Sequence, residues 1–453
     1  MDIGIALIVD ICLLIGSLWL ILQVSKLSIF NPSLWWVALH AYCVTFRLIT
    51  LNLGVQSVSL IGIQSDTELV NAAIASDISL LAVVGATLFI AYKSPENKAS
   101  KSIESRWSQL NPRVGQVISM LCLTIGTYAL IAFSAVATAA QARGTNVSAM
   151  DIGRWDESAY PGLIGGFAVQ GALIQCAVHG FTRWRVILLM LMLALISINP
   201  ARTGFVTAAI MAFMIYQTMR KRHSVTMKWA VCVVLLGLLW FVYKPISQGI
   251  VAGYNAEAIW SRTQNYFQDS VGASPSIDTQ FLDMQATNMA AADEAGVRFY
   301  GTMDLPLVFL PIPRFMWPDK PSMAEYAQKI TSSSRPIAIT GMTPNLSGQG
   351  YMEFGWVGCA IIPFLYIYGM QTAFRRVSSL GITSVARWIY LIFLATMLQV
   401  FRDGLSSVFV FPFMAYLPLL GWGAISKLLS ANHAGVKYLQ PHYVLPVARR
   451  RVE

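Results

Sequence analysis

The sequence predicts an all-helical integral membrane protein with about eleven transmembrane helices and one large extracytoplasmic loop carrying amphipathic helices. Three observations carry that reading. Hydrophobic residues make up 56% of the 453 and charged residues 12%, with a mean hydropathy of +0.58, a balance that excludes a water-soluble enzyme of this length. Apolar runs of roughly 20 residues, enough to cross a bilayer as a helix, recur along the chain. Between Lys244 and Gly350 they give way to about a hundred polar residues punctuated by Pro and Gly.

The runs fall near 3–24, 34–54, 70–92, 114–139, 161–181, 185–199, 203–219, 228–246, 351–374, 386–402 and 405–427. Asp2 precedes the first, and neither a basic leader nor a small-residue cleavage site accompanies it, so an uncleaved first span is expected. The sixth and seventh runs are short and meet at Ser197-Ile-Asn-Pro-Ala-Arg-Thr-Gly204. Asn-Pro breaks a helix there, which predicts a tight hairpin with Arg202 at its tip. The chain thus divides into spans one to eight (1–243), the loop (244–350), spans nine to eleven (351–427) and a basic tail (428–453).

An odd number of spans puts the termini on opposite faces, and charge says which face is which. Loops on one side carry Lys26, Lys93, Lys98, Lys101, Arg106, Arg113, Arg183, Arg185, Arg220, Lys221, Arg222, Lys228, Arg375, Arg376 and Arg387, with Lys427, Lys437 and Arg449 to Arg451 behind them: twenty of the 32 basic residues. The positive-inside rule makes that face cytoplasmic. The N-terminus and the long loop then lie outside and the tail inside. The net charge of +10 and isoelectric point of 9.3 follow from topology and imply no nucleic acid.

The long loop itself is mildly acidic, with seven Lys/Arg against nine Asp/Glu, so an anion site within it depends on a few placed cations. Ile277, Phe281 and Met284 fall at helical spacing, and Ser322 with Glu325 reads as a capping box after Pro321. Both predict amphipathic helices on the outer surface, over the bundle. All six cysteines lie in the apolar runs, where they read as small packing residues, not as disulfides or metal ligands.

Several polar residues stand out. Arg402-Asp403-Gly404 interrupts two apolar runs at the outer end of the tenth span. As a turn it lets Arg402 snorkel and Asp403 accept turn hydrogen bonds; as a site it offers a cation and an acid at the membrane boundary. Arg202 lies on the same face, and Arg314 and Lys320 flank Trp317-Pro318. Together these four cations suit a pyrophosphate, for which arginine has bidentate geometry. Glu353, between Tyr351 and Phe354 at the mouth of the ninth span, is a candidate general base if burial raises its pKa, or equally a helix N-terminal acid; Asp403 competes for the same role. Aromatics such as Trp317 and Tyr351 suit sugar stacking or interfacial anchoring alike. Arg47, Asp77 and Asp10 lie inside spans, where charges need partners, and an Arg47 ion pair with Asp77 or Asp10 is expected. His40 reads as a polar packing residue. No Asp-x-Asp pair or His cluster points to a metal, and no cofactor is expected.

With these residues in view, the chain resembles the Wzy-type O-antigen or oligosaccharide repeat-unit polymerases of bacterial inner membranes. The resemblance rests on Asn199-Pro-Ala-Arg-Thr-Gly204, on Pro313-Arg-Phe-Met-Trp-Pro-Asp-Lys-Pro-Ser322 followed by Gly350-Tyr-Met-Glu-Phe-Gly-Trp-Val-Gly358, and on Arg402-Asp-Gly404, in that order, with one large loop before the last three spans. It implies a GT-C-like, metal-independent glycosyltransferase of the inner membrane, working on its periplasmic side. Such an enzyme transfers a growing glycan from undecaprenyl pyrophosphate to the non-reducing end of an undecaprenyl-pyrophosphate-linked repeat unit. Membrane lipid surrounds it, and a chain-length regulator and a flippase are its implied partners. Arg202, Arg314, Lys320 and Arg402 would then meet phosphate or sugar, helped by Trp317 and Tyr351, with Glu353 or Asp403 as base. The nearest alternative is an O-antigen ligase using the same donor, although no His lies between Lys244 and Gly350 to serve a ligase loop. A lipid-linked oligosaccharide flippase or transporter would concentrate its polar residues within the spans.

Overall fold

The computed structural model describes residues 2–25, 27–54, 65–93, 110–142, 159–198, 203–221, 246, 254–271, 281–305, 309, 316–317, 345–405, 407–410 and 413–432. Every element among them is helical, with no strand. In chain order they are α1 (Ile3–Val24), α2 (Pro32–His40), a π-turn (Ala41–Thr45), α3 (Phe46–Asn52), α4 (Asp66–Lys93), α5 (Pro112–Ala142), α6 (Ala159–His179), α7 (Arg183–Ile198), α8 (Thr203–Met219), α9 (Ala256–Val271), α10 (Phe281–Glu294), α11 (Asn345–Phe354), α12 (Trp356–Val377), α13 (Val385–Ala395), α14 (Met397–Asp403), α15 (Ser407–Val410) and α16 (Phe413–Asn432). Among the described residues, five helices are long and apolar enough to cross a membrane: α1, α2 through the π-turn to α3 as one helix, α4, α5 over Pro112–Ala132, and α12. A sixth is added if α13 and α14, bent by 42° at their junction, form one span.

The packing is that of a chain in lipid. Helix α1 buries Ala6, Asp10, Ser17 and Ile21 on one stripe, while Ile8, Ile15 and Trp19 stand 59–63% exposed. Small and polar groups face inward and large apolar ones outward, the reverse of a helix in water. Helix α5 likewise turns Val117, Leu121 and Tyr128 outward. Helix ends follow ordinary rules. Asn31 accepts the Ser33 N–H at 3.0 Å with Pro32 in the first turn of α2, and α4 begins with Asp66 and Glu68 and ends with Lys93, matching its dipole.

Many of the described basic residues gather at one end of the bundle. Arg375 donates to the Ile90 carbonyl near the end of α4, Leu110 N–H bonds the Thr383 carbonyl, Ser426 accepts from Asn111, and Arg387 reaches Thr218. These contacts bring together the segments holding Lys93, Arg113, Arg220, Lys221, Arg375, Arg376 and Lys427. Arg387 is buried there with its guanidinium 4.2 Å from the Phe30 ring centroid.

Three expectations change. The ninth span begins at Trp356, because Gly355 adopts φ +64° and turns the chain; Tyr351 and Glu353 belong to the separate helix α11. The loop helix α10 does not lie on the surface. Ten of its residues, from Leu282 to Ala292, are buried against the bundle, since its polar side chains find partners there. Arg47 bonds Asp283 of α10 instead of Asp77 or Asp10, which flank His40. The run at 228–246, apart from Ile246, the hairpin tip at 199–202 and the Ser322 capping box lie outside the described residues.

Candidate functional site

The site is built around α11, which folds back against α12 through the Gly355 turn. A Cβ on Gly358 would sit 1.9 Å from the Gly350 carbonyl oxygen, and one on Gly350 would sit 2.5 Å from the Gly358 oxygen. The two backbones therefore touch where only glycine fits. This explains the Gly350–Gly358 spacing as a packing device, and it fixes the faces that α11 presents to its neighbours.

One face holds the turn at 299–305. Glu353 is 2% exposed and accepts the Gly301 N–H through Oε2 and the Met303 N–H, at 3.1 Å, through Oε1. The backbone continues the join, with Phe299 N–H to the Met352 carbonyl at 3.0 Å and Tyr300 N–H to the Glu353 carbonyl at 3.1 Å. Burial pushes the Glu353 carboxyl above its usual range; the two N–H donors oppose the shift and the nearby Asp304 carboxylate adds to it. Asp304 is itself pushed up by burial, against a hydrogen bond from Gln349.

Gln349 ties this turn to the Arg402-Asp403-Gly404 turn. Its Nε2 donates to Asp304 Oδ2 at 2.6 Å and its Oε1 accepts the Leu405 N–H at 2.7 Å. Gly404 has φ +88°, and a Cβ there would lie 2.2 Å from Gln349 Oε1. Arg402 donates from Nε and Nη2 to the two oxygens of Asp403, the latter bond at 2.6 Å. The guanidinium side chain is 30% exposed and the carboxylate 8%.

On its other side, α11 meets α10. The Tyr351 hydroxyl donates to Asp293 Oδ2 at 2.8 Å, and Arg298 pairs with Asp293 while its guanidinium lies 4.8 Å over the Tyr351 ring. Burial, then the Asp293 carboxylate, pushes the phenol up to about 12. A cavity of about 210 Å³ opens here, lined by Glu68, Asn71, Met289, Asp293, Glu294 and Tyr351 among others.

No family model, curated protein or solved structure matches the chain. Of the expected site residues, Glu353 and Tyr351 lie on different sides of α11, and the Arg402-Asp403 turn is tied to α11 through Gln349. Trp317 is 37% exposed and packs edge-on against Phe309 at 5.2 Å, with no described contact to that group. Arg202, Arg314 and Lys320 lie outside the described residues. Sequence reasoning missed Gln349, Asp304, Asp293 and Arg298. Gln349 stands immediately before the Gly350 to Gly358 motif, but an uncharged residue between glycines gave no sign that it bridges two turns.

Proposed function

We propose that the protein is a polysaccharide polymerase of the Wzy type, an inner-membrane glycosyltransferase. It transfers a growing glycan from undecaprenyl pyrophosphate to the non-reducing end of a carrier-linked repeat unit, in O-antigen or related surface-polysaccharide synthesis. The end of the bundle rich in Lys and Arg faces the cytoplasm, the N-terminus and α11 face the periplasm, and the unassigned spans complete a GT-C-like bundle of about eleven.

One observation carries the reading. Two motifs of the resemblance, Gly350 to Gly358 and Arg402 to Gly404, lie far apart in sequence and are joined by Gln349, which precedes the first, accepts the N–H of Leu405 just after the second and packs against Gly404. Their meeting sets a partly exposed arginine beside a buried carboxylate. That is the equipment a glycosyl transfer from a pyrophosphate carrier requires: a cation for the leaving group and a base for the acceptor hydroxyl.

The chemistry follows from the pairing. Arg402 is held by Asp403 through two hydrogen bonds, and a pyrophosphate entering the site competes for the same bidentate donor. As the guanidinium turns to phosphate, the Asp403 carboxylate is released to accept the proton of the acceptor hydroxyl. That oxygen bonds the anomeric carbon as its bond to pyrophosphate breaks, and the pyrophosphate departs as an anion beside Arg402. Glu353, whose two oxygens both hold backbone N–H groups, fits better as the anchor that keeps α11 on the 299–303 turn. Arg202, Arg314 and Lys320 supply further cations, with Trp317 and Tyr351 against sugar.

Deletion of the gene followed by electrophoresis of the surface glycan tests the reading. Loss of a polymerase leaves core capped by one repeat unit. Polymer stranded on the carrier would identify a ligase, and loss of both would identify a flippase. Arg402→Ala and Lys320→Ala, at normal protein level, should reproduce the one-unit pattern, and a full-length ladder from either would remove that residue from the site.

A further inference from the structure

We propose that Asp10, His40 and Asp77, brought together from three separate spans, form a binding site for one divalent first-row transition-metal cation in the interior of the bundle. This does not rest on the polymerase reading. His40 Nε2 lies 2.7 Å from Asp10 Oδ1 and 3.5 Å from Asp77 Oδ1, and one ligand atom from each residue falls within 4.8 Å of the others. Donors bound at about 2.0–2.2 Å to a tetrahedral ion stand roughly 3.3 Å apart, a spacing bracketed by the two distances. A cation here would replace the proton that bridges Nε2 and Oδ1.

Charge and burial point the same way. Asp10 and His40 are fully buried and Asp77 is 7% exposed, about two turns into α1 and about three turns into α4. With metal bound the imidazole would be neutral, and the two carboxylates would carry two negative charges that a single divalent cation cancels. The nearest arginine on the same span, Arg47, is committed to Asp283. The cluster also keeps polar atoms without a hydrogen-bond partner: Asp10 Oδ2, Asp77 Oδ1, His40 Nδ1 and Thr45 Oγ1.

The fold supplies the fourth donor. Residues five apart on an α-helix point about 140° apart, but the π-turn at Ala41–Thr45 widens the helix and returns Thr45 to the His40 side. Its hydroxyl, 6% exposed as a residue, is turned toward the Asp10 carboxylate without completing a hydrogen bond to it. Wide turns of this kind recur where a helix must present ligands. One imidazole, two carboxylates and a hydroxyl are donors for Zn²⁺, Mn²⁺ or Co²⁺, and the set lacks the thiolate or thioether that selects Cu(I).

The test uses the full chain, purified in detergent without chelator and with any affinity tag removed, titrated with Co²⁺. Visible ligand-field absorption should appear and saturate at one equivalent per chain, and Zn²⁺ should abolish it. His40→Gln and Asp77→Asn should each weaken Co²⁺ binding at least about tenfold, the lower bound for loss of a supporting group at a metal site. Should His40→Gln fail to fold, the wild-type titration and Asp77→Asn still decide. Wild-type protein without the absorption, or an absorption unchanged in Asp77→Asn, overturns the site and leaves the three residues as a proton-bridged contact between spans.

Discussion

Arg47, in the second span, holds Asp283 of α10 through two hydrogen bonds, Nε to Oδ1 at 3.0 Å and Nη2 to Oδ2 at 2.6 Å. The residues are 236 apart in sequence and both side chains are at most 2% exposed. This pair makes the long loop part of the bundle. A charged residue in a polar loop is inserted among spans because a cation is already buried there to receive it.

Removing either partner leaves the other charged and buried, which costs about 3–5 kcal/mol. Arg47→Ala and Asp283→Ala should therefore each lower the thermal unfolding temperature in detergent sharply, and Asp283→Asn less. Thermal melts of the purified variants check this, and a melt of Asp283→Ala indistinguishable from wild type would show that the pair does not anchor α10.

The α11–α12 contact makes a second prediction. Gly358→Ala places a methyl 1.9 Å from the Gly350 oxygen, and because the obstacle is backbone, α11 must move away. Overpacking of this kind costs typically about 1–3 kcal/mol. Limited proteolysis should then cut the 299–305 turn faster, since the turn is held by Glu353 and Met352 of the displaced helix.

Hydropathy made the helical class and the long apolar helices legible, because each is a property of composition along the chain. Partners across the bundle were not legible. Arg47 needed an acid, but nothing local distinguishes Asp283, which sits in a polar loop, from Asp77, which sits in a span. Gly355 was hidden for a different reason. It follows Tyr-Met-Glu-Phe and precedes Trp-Val-Gly, an apolar stretch whose hydropathy runs on across a turn that only φ reveals. Arg402-Asp403-Gly404 was visible, since charges that interrupt apolar runs declare themselves. The Asp10–His40–Asp77 cluster was not, with one residue on each of three spans.

Glu353 predicts a pH dependence. Its carboxyl holds the proton more tightly in the folded protein than the ordinary value of 4.5, so over the window that opens there the folded state binds more protons than the unfolded. Stability then falls as pH rises through that window, and Asp304 adds a slope of the same sign from about 3.8 upward. Glu353→Gln should flatten the slope. It should also lower stability by roughly 1–3 kcal/mol, because the amide sets an NH₂ against one of the two backbone donors. Unfolding midpoints measured from pH 4 to 8 check both effects, and a slope unchanged in the variant would assign the dependence elsewhere.

The two candidate bases separate by kinetics. Asp403 faces the guanidinium that would take the phosphate, whereas Glu353 faces backbone. Asp403→Asn should lower turnover of a carrier-linked repeat unit by about 10²–10⁴-fold, the usual worth of a general base, while donor binding persists because Arg402 is freed from its carboxylate. Glu353→Gln should retain turnover per folded molecule and lose folded protein instead. Arg402→Ala should weaken donor binding and turnover together, and Arg402→Lys should restore charge without the bidentate geometry and recover only part of the rate. Single-turnover assays with purified carrier-linked substrate, normalised to folded protein, decide among them. Full turnover in Asp403→Asn with none in Glu353→Gln would reverse the two roles.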